Sequence, residues 1–401
     1  MVEGGPWLTI VGIGEDGPAG LSTASLVAIN DASFVIGAAR HLALLPPLPN
    51  AILIAWPVPF DIQPLLDRRG QATVMLASGD PFWFGAGSVV AGHLAAGEWV
   101  AQPAPSTFAL AASRLGWRLE DCPCLGLHAA PLTRLRPHLA PGQRALVLVR
   151  DGDAVLTLAD YLSGLGFGAS TLTVMEAIGG PRERIRTARA DELAFTDIAH
   201  PVAVGIAMAG DGDALPCASG IADDWFDHDG QISKRPIRAL TLSALAPRPG
   251  ETLWDIGAGS GSIGIEWLLS HPSLNAVAFE RDVTRAARIR ANAMALGVDR
   301  LTVIEGATPD CLPPPGHPMP DAVFIGGGLS SALLGRLAEQ LAPGTRIVAN
   351  AVTLESEALL TAWHRARGGT LLRIDLAEAG PIGTRRGWRA SFPVVQWSVT
   401  L

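Results

Sequence analysis

Lysine is nearly missing: of the 30 basic residues in this 401-residue chain, only Lys234 is not arginine, and acidic residues outnumber basic ones to a formal charge of −8. A broad nucleic-acid surface is therefore not expected, because phosphate binding draws its affinity from basic patches that release counterions. The lysine deficit itself reads as a compositional habit. Long apolar runs are also absent. Nowhere do 18 uninterrupted apolar residues occur, and the opening MVEGGPW has no basic region followed by an apolar stretch. Neither a membrane span nor a signal peptide is expected, and the expected location is the cytoplasm. Cysteine is scarce as well. Cys122, Cys124, Cys217 and Cys311 lack C-x-x-C spacing, so free thiols are expected and no metal site is assigned.

What the chain does have is apolar material, 48% of its residues, against 17% charged. At this length that composition predicts two or three globular units and excludes disorder. LTIVGIG, ASFVIG, ATVMLAS, ALVLV and STLTVME read as strands separated by helical stretches, an alternation that predicts mainly parallel sheets covered by helices. GDGDALPCASGIADDWFDHDG breaks the periodicity. The reading places one domain over residues 1–212, a linker over 213–228 and a second domain over 229–401. In the second, TLWDIG, AVAFE, LTVIEG, DAVFIGG and TRIVANAV alternate with helices in a doubly wound pattern, and RASFPVVQWSV follows as a late strand or hairpin arm. No short repeat relates the halves.

Two strand-to-glycine turns stand out, TIVGIGEDGPAG and LWDIGAGSGSIG. In the second, Gly257, Gly259 and Gly261 follow a strand directly, where missing side chains let backbone approach a ligand. Gly259, Gly261 and Gly264 also satisfy the dinucleotide pattern G-x-G-x-x-G, a weak signal alone. Two carboxylates weigh against a dinucleotide reading. Asp255, at the carboxyl end of the strand, would repel a pyrophosphate and favour a ligand bearing an amino group. Glu280 ends the next strand, nineteen residues after Gly261, and suits both hydroxyls of a ribose. The plainer alternative is that Asp255 caps the following turn and Glu280 is a strand-end charge.

At these residues a resemblance appears. HDGQISKRPIRALTLSALAPRPGETLWDIGAGSGSIGIEW is similar to the CbiT-type precorrin methyltransferases, while ASGDPFWFGAGS, PSTFALAASRLGW and VMEAIGGPRERI are similar to the CbiE-type enzymes. Their order resembles the fused precorrin-6Y C(5,15)-methyltransferases (decarboxylating) over nearly the whole chain. The resemblance implies an α/β fold with two parts: an N-terminal tetrapyrrole methylase (class III methyltransferase) of two α/β subdomains, and a C-terminal Rossmann-like class I methyltransferase. It implies two S-adenosyl-L-methionine sites. Carried over by position, Gly12, Gly14, Gly79, Asp80, Pro81, Ser106 and Thr107 belong to the first. Ser233, Gly257, Ala258, Gly259, Ser260, Gly261, Glu280 and Ala307 belong to the second, together with Asp255 from the reading above. EDGPAG stands where tetrapyrrole methylases commonly carry G-P-G, and HAAPL where CbiE-like sequences often carry H-G-R.

The implied reaction is methylation of a reduced precorrin-6 at C5 by the N-terminal half and at C15 by the C-terminal half. The C-terminal half also decarboxylates the C12 acetate, giving precorrin-8 in cobalamin biosynthesis. No catalytic residue is assigned, since decarboxylation itself can generate the attacking carbon. A polycarboxylate tetrapyrrole needs local cations on an acidic protein. Arg385, Arg386 and Arg389, beside Trp388, form one candidate cluster, and Arg182, Arg184 and Arg186 another; both also read as solvated surface. Asp227, His228 and Asp229 read as local caps. A homo-oligomer without nucleic-acid or membrane partners is expected. Two alternatives stay open: a nucleic-acid methyltransferase, disfavoured by IGGG in place of an N-P-P-Y-type tetrad, and a corrinoid-binding protein with one active half.

Overall fold

The computed structural model describes residues 5–401 and divides into two compact units. Residues up to Ala130 and His138–Asp213 form the first; Ala214–Leu401, joined by Pro131–Pro137, form the second. Among the described residues no helix is long and apolar enough to cross a membrane.

The first unit contains two sheets. β1 (Leu8–Ile13), β2 (Phe34–Gly37), β3 (Ile52–Ala55), β4 (Thr73–Ser78) and β5 (Trp99–Gln102) lie in the order β3-β2-β4-β1-β5, all parallel. The alternation of strand and helix in the sequence produces this sheet as expected, and its central strands β1 and β4 are buried on both faces. The second sheet departs from expectation. β6 (Cys124–Gly126), β7 (Arg144–Val149), β8 (Thr171–Glu176), β9 (Arg184–Arg189) and β10 (Val202–Ala207) run β6-β7-β10-β8-β9. Only β6 and β7 are parallel. The hairpin β8–β9 needs no crossover helix, and β10 slots between β7 and β8 antiparallel to both, which the mainly parallel reading missed.

The second unit is one seven-stranded sheet. β11 (Thr252–Ile256), β12 (Asn275–Glu280), β13 (Thr302–Glu305), β14 (Ala322–Ile325), β15 (Arg346–Ala351) and β16 (Thr370–Ile374) precede the hairpin β17 (Ala377–Ile382) and β18 (Arg385–Ala390), and β19 (Val394–Thr400) follows it. Their order is β13-β12-β11-β14-β15-β19-β16, with only the β15–β19 and β19–β16 pairs antiparallel. RASFPVVQWSV therefore splits: its start closes the β17–β18 hairpin and its end enters the main sheet.

The expected linker at 213–228 is not one. Ile221 and Phe226 are buried in the core with Leu245, Leu253 and Trp267. Arg238, fully buried, donates to Glu266 and Asp223, each at 2.7 Å, and to the Ile221 carbonyl, while Glu266 accepts the Gly220 N–H. A buried guanidinium needs such partners, so this aspartate-rich sequence is packed structure rather than tether.

Candidate functional site

In the second unit, glycines set the shape of a cavity of about 950 Å³ at the carboxyl ends of the strands. Gly257 has φ +69°, and a Cβ there would lie 2.6 Å from Gly327. The approach of the two turns dictates Gly257; in the facing IGGG stretch a Cβ on Gly327 would make only an ordinary 3.6 Å contact, whereas one on Gly326 would lie 2.7 Å from the Phe324 ring. Gly261 has φ +78°, and a Cβ on it would meet Ile289 at 2.7 Å as the helix Ser262–Ser270 starts. Gly259 differs: φ is +61°, but its nearest neighbour to an added Cβ is the Gln231 carbonyl at 3.4 Å. Its open side borders the cavity.

Glu280 is braced rather than loose. It accepts the Gly259 N–H at 2.9 Å through Oε2 and the Asp282 N–H at 3.0 Å through Oε1, while bordering the cavity. Each carboxylate oxygen keeps lone pairs for further donors, so vicinal hydroxyls suit it. Ser233, Gly257, Ala258, Gly259, Ser260, Glu280 and Ala307 all line this cavity. Gly261 does not; it supports the turn from behind.

Asp255 requires a correction, because it does not border the cavity. All of β11 is buried, and the Asp255 side chain turns toward the helix, where Oδ2 accepts the Gly264 N–H at 2.9 Å. This caps the helix start, and Gly264 is small because its added Cβ would sit 3.1 Å from that oxygen. Burial, partly offset by the Gly264 hydrogen bond and reinforced by the charge of Glu280, pushes its carboxyl up to about 7. The folded state then holds a proton that the unfolded chain, with an aspartate near 3.9, releases. This contribution is most favourable below about pH 4 and is lost as pH rises to about 7. By linkage the change is of the order of 4 kcal/mol. Chemical denaturation at pH 5 and pH 8 should therefore show the second unit losing stability with pH, and Asp255→Asn should flatten the trend. A slope unchanged by the substitution would place the titration elsewhere.

Sequence reasoning missed Lys234, Arg281, Arg285 and Asn350, which line the same cavity. Arg285 pairs with Asp229 at 2.8 Å; the Gln231 N–H, then Arg285, hold the Asp229 carboxyl down at about 2. The signal for the arginines was available: they follow Glu280 on the strand-end loop and the next helix. His228 accepts from the Gly230 N–H and Asp229 from the Gln231 N–H, both local contacts, whereas Asp227 is held by a distant residue, its N–H donating to Asn292 Oδ1 at 2.9 Å. Asp227 and Asp229 also pair with Arg288. Arg385, Arg386 and Arg389 are exposed on β18 and do not line the cavity. The hairpin carries them outward, and only the flanking Leu376, Ser391 and Phe392 reach the cavity edge.

The first unit holds a smaller cavity, about 300 Å³, between its two sheets. Gly14, Gly79, Asp80, Ser106 and Thr107 border it, while Gly12 and Pro81 stand behind. A Cβ on Gly12 would lie 1.9 Å from the Gly79 carbonyl oxygen, so its glycine is dictated by strand-to-loop contact. Asp80 accepts the Phe82 N–H at 2.8 Å, and Ser106 caps the helix Thr107–Leu115 through the Ala109 N–H at 3.1 Å. Glu15, which lies inside the first glycine-rich turn, Arg40, Ser78, His128, Arg150 and His200 add to the polar lining. The candidate cluster Arg182, Arg184 and Arg186 is occupied by other partners. Arg182 pairs with Glu15 at 2.9 Å, and the other two clamp Glu176 and Asp197.

Residues 7–194 match the model of the tetrapyrrole (corrin/porphyrin) methylases, and residues 224–401 that of the precorrin methyltransferase domain. A precorrin-6Y C(5,15)-methyltransferase [decarboxylating] from Sinorhizobium sp is 50% identical over 401 residues, covering 98% of this chain and 96% of the relative. The chain belongs to that family. The corresponding protein of Mycobacterium tuberculosis (strain ATCC 25618 / H37Rv) is 40% identical over 403 residues, 98% of this chain and 99% of its own. Among solved structures, the C-terminal domain of precorrin-6Y C5,15-methyltransferase from Rhodobacter capsulatus is 53% identical, covering 47% of this chain and 100% of its own, with a TM-score of 0.45.

Proposed function

We propose that the chain methylates a reduced precorrin-6 macrocycle twice with S-adenosylmethionine, at C5 in the first unit and at C15 in the second. In this reading the second unit also removes the carboxyl of the C12 acetate, giving precorrin-8 in cobalamin biosynthesis. The observation that carries it is the Gly257–Gly261 turn, open at Gly259 and held to Glu280, on the wall of a cavity with room beyond the turn. At about 950 Å³ the cavity lies near the top of the range for small-molecule sites, about 300–1,000 Å³.

When bound, S-adenosylmethionine supplies a methyl group on a sulfonium. Glu280 would hold the ribose hydroxyls, the Gly257–Gly261 backbone would pass alongside, and Ser233 and Ala307 would border the ligand. Gly14, Gly79, Asp80, Ser106 and Thr107 would do the same in the first unit. Ile237, Ile263, Phe279 and Phe324 give the second cavity apolar walls that exclude water from the reacting carbons. Lys234, Arg281 and Arg285 outnumber Glu280 among its charged lining residues, which suits a polycarboxylate on a protein of net charge −8. Arg40, Arg150, His128 and His200 offer comparable donors in the first.

Calorimetric titration of the full chain with S-adenosylhomocysteine should give two equivalents per chain. Glu280→Ala should weaken one of them by about 1.5–3 kcal/mol, the loss of charge-assisted hydrogen bonds, and leave the other unchanged. Because Glu280 also accepts from Gly259 and Asp282, some loss of thermal stability in the second unit should accompany this. A single equivalent in the unaltered chain would overturn the two-site reading.

A further inference from the structure

The cavity of the second unit is polarised along its sheet. The Gly257 turn, Glu280 and the loop at Gly326–Gly328 occupy the carboxyl ends of β11, β12 and β14. Gly306–Thr308 extend that side past β13, Gln231–Lys234 border the cavity ahead of the helix Arg235–Leu245, and the opposite end lies over β15 and β19. Because β19 runs antiparallel to β15, with Asn350 opposite Gln396 and Ala351 opposite Val395, the start of β19 meets the carboxyl end of β15. There the wall is Ile237, Val352, Leu376, Phe392 and Val394, with Ser391 beside Phe392. Within it stands one side-chain amide, that of Asn350.

Buried neighbours fix its orientation. Asn350 Nδ2 donates to Thr241 Oγ1 at 3.0 Å, and Gln396 Nε2 donates to Asn350 Oδ1 at 3.0 Å and to Thr241 Oγ1 at 3.1 Å. Thr241 and Gln396 are both buried. An amide has two N–H donors, so one remains on Asn350 at the cavity wall. The arginines stand apart from it. Arg281 and Arg285 follow β12, three strand spacings or about 14 Å from β15. Lys234 leans toward Asp223 at 3.6 Å.

We propose that Asn350 receives and orients the carboxylate of the acetate that is lost, holding it over the apolar wall of β15 and β19 while the other carboxylates face the cationic edge. This rests on the reading that the second unit decarboxylates its substrate. In the step, the bond between the acetate methylene and its carboxyl carbon breaks and carbon dioxide leaves. The electron pair passes through the conjugated macrocycle to C15, which bonds to the methyl group; the methyl–sulfur bond breaks and its pair stays on sulfur. Charge leaves the carboxylate as the barrier is climbed. An arginine there would stabilise the starting carboxylate more than the transition state, whereas a neutral amide in an apolar wall aligns the breaking bond without that penalty.

The test compares Asn350→Leu and Asn350→Asp with the unaltered full chain, which must itself release carbon dioxide from the reduced macrocycle. If it does not, the underlying reading fails rather than this assignment. Asn350→Leu should bind S-adenosylhomocysteine within about twofold of the parent and methylate C5 normally, but lose about 10- to 100-fold in carbon dioxide release. Its ¹³C isotope effect at the acetate carboxyl should rise, as alignment of the breaking bond becomes limiting. Asn350→Asp keeps the acceptor for Gln396 but loses the donor to Thr241, so thermal melting beside the parent checks that it is folded. It should be weakest at high pH, where two carboxylates repel, and should recover as pH falls and the new side chain regains a proton to donate. Unchanged release and isotope effect in Asn350→Leu, or an Asn350→Asp pH profile parallel to the parent, would overturn the assignment.

Discussion

Gly12→Ala should abolish methylation at C5 and leave a decarboxylated product carrying one new methyl at C15. The added Cβ would lie 1.9 Å from the Gly79 carbonyl oxygen and 2.5 Å from the Ala104 nitrogen, both backbone atoms that no rotamer change can move. β1 pairs with both β4 and β5, so the strain spreads through the centre of the first sheet. Overpacking of flexible side chains costs about 1–3 kcal/mol, and a backbone collision of this kind should exceed it. Melting should show the first unit destabilised or unfolded and the second unaffected, because their cores are separate. Mass spectrometry of the product, with NMR to place the methyl group, reads the chemical outcome. Doubly methylated product from this variant would remove the first cavity from the reaction.

Gly259→Arg should give the complementary result: one methyl, at C5, with the acetate carboxyl retained. The space beside Gly259 is open to an added Cβ, so the long side chain enters the cavity instead of breaking the core. The left-handed φ of +61° adds about 1–2 kcal/mol of strain, which a well-packed unit tolerates. S-adenosylhomocysteine binding should fall from two equivalents to one. The carboxyl should stay because bond breaking and methyl capture share the electron pair, and with no aligned methyl group the pair has no productive destination. Decarboxylation continuing with C15 unmethylated, through capture of a proton, would separate the two events that this account joins.

The sequence made the second cavity readable because its chemistry sits in backbone. Gly257, Gly259 and Gly261 were legible as a turn without any knowledge of what packs around them, and Glu280 was placed by strand-end spacing. Asp255 was misread for a physical reason. Position at a strand terminus says nothing about which way a side chain turns, and here the helix N-terminus captured it through the Gly264 N–H. Arg385, Arg386 and Arg389 failed similarly, since a cluster in sequence becomes a cluster in space only where the strand presents it, and β18 faces away from the cavity lining. Asn350 carried no local signal. Its environment comes from Thr241 and Gln396, 109 residues before it and 46 after it, which only the assembled sheet brings together. The segment 213–228 read as linker because Asp, Ala, Ser and Gly break its periodicity, whereas Ile221 and Phe226 in the core, Leu215 and Trp225 packed against it, and the buried Arg238 decide its fate.

The central claim is that the two cavities each perform one methyl transfer on the same macrocycle, independently, with carboxyl loss belonging to the second. Mixing Gly12→Ala and Gly259→Arg in one reaction with the reduced precorrin and S-adenosylmethionine tests it most directly. Each variant alone should give its singly methylated product by high-resolution mass spectrometry, and the mixture should restore the doubly methylated, decarboxylated macrocycle. A mixture that yields only the two singly methylated species would contradict the account.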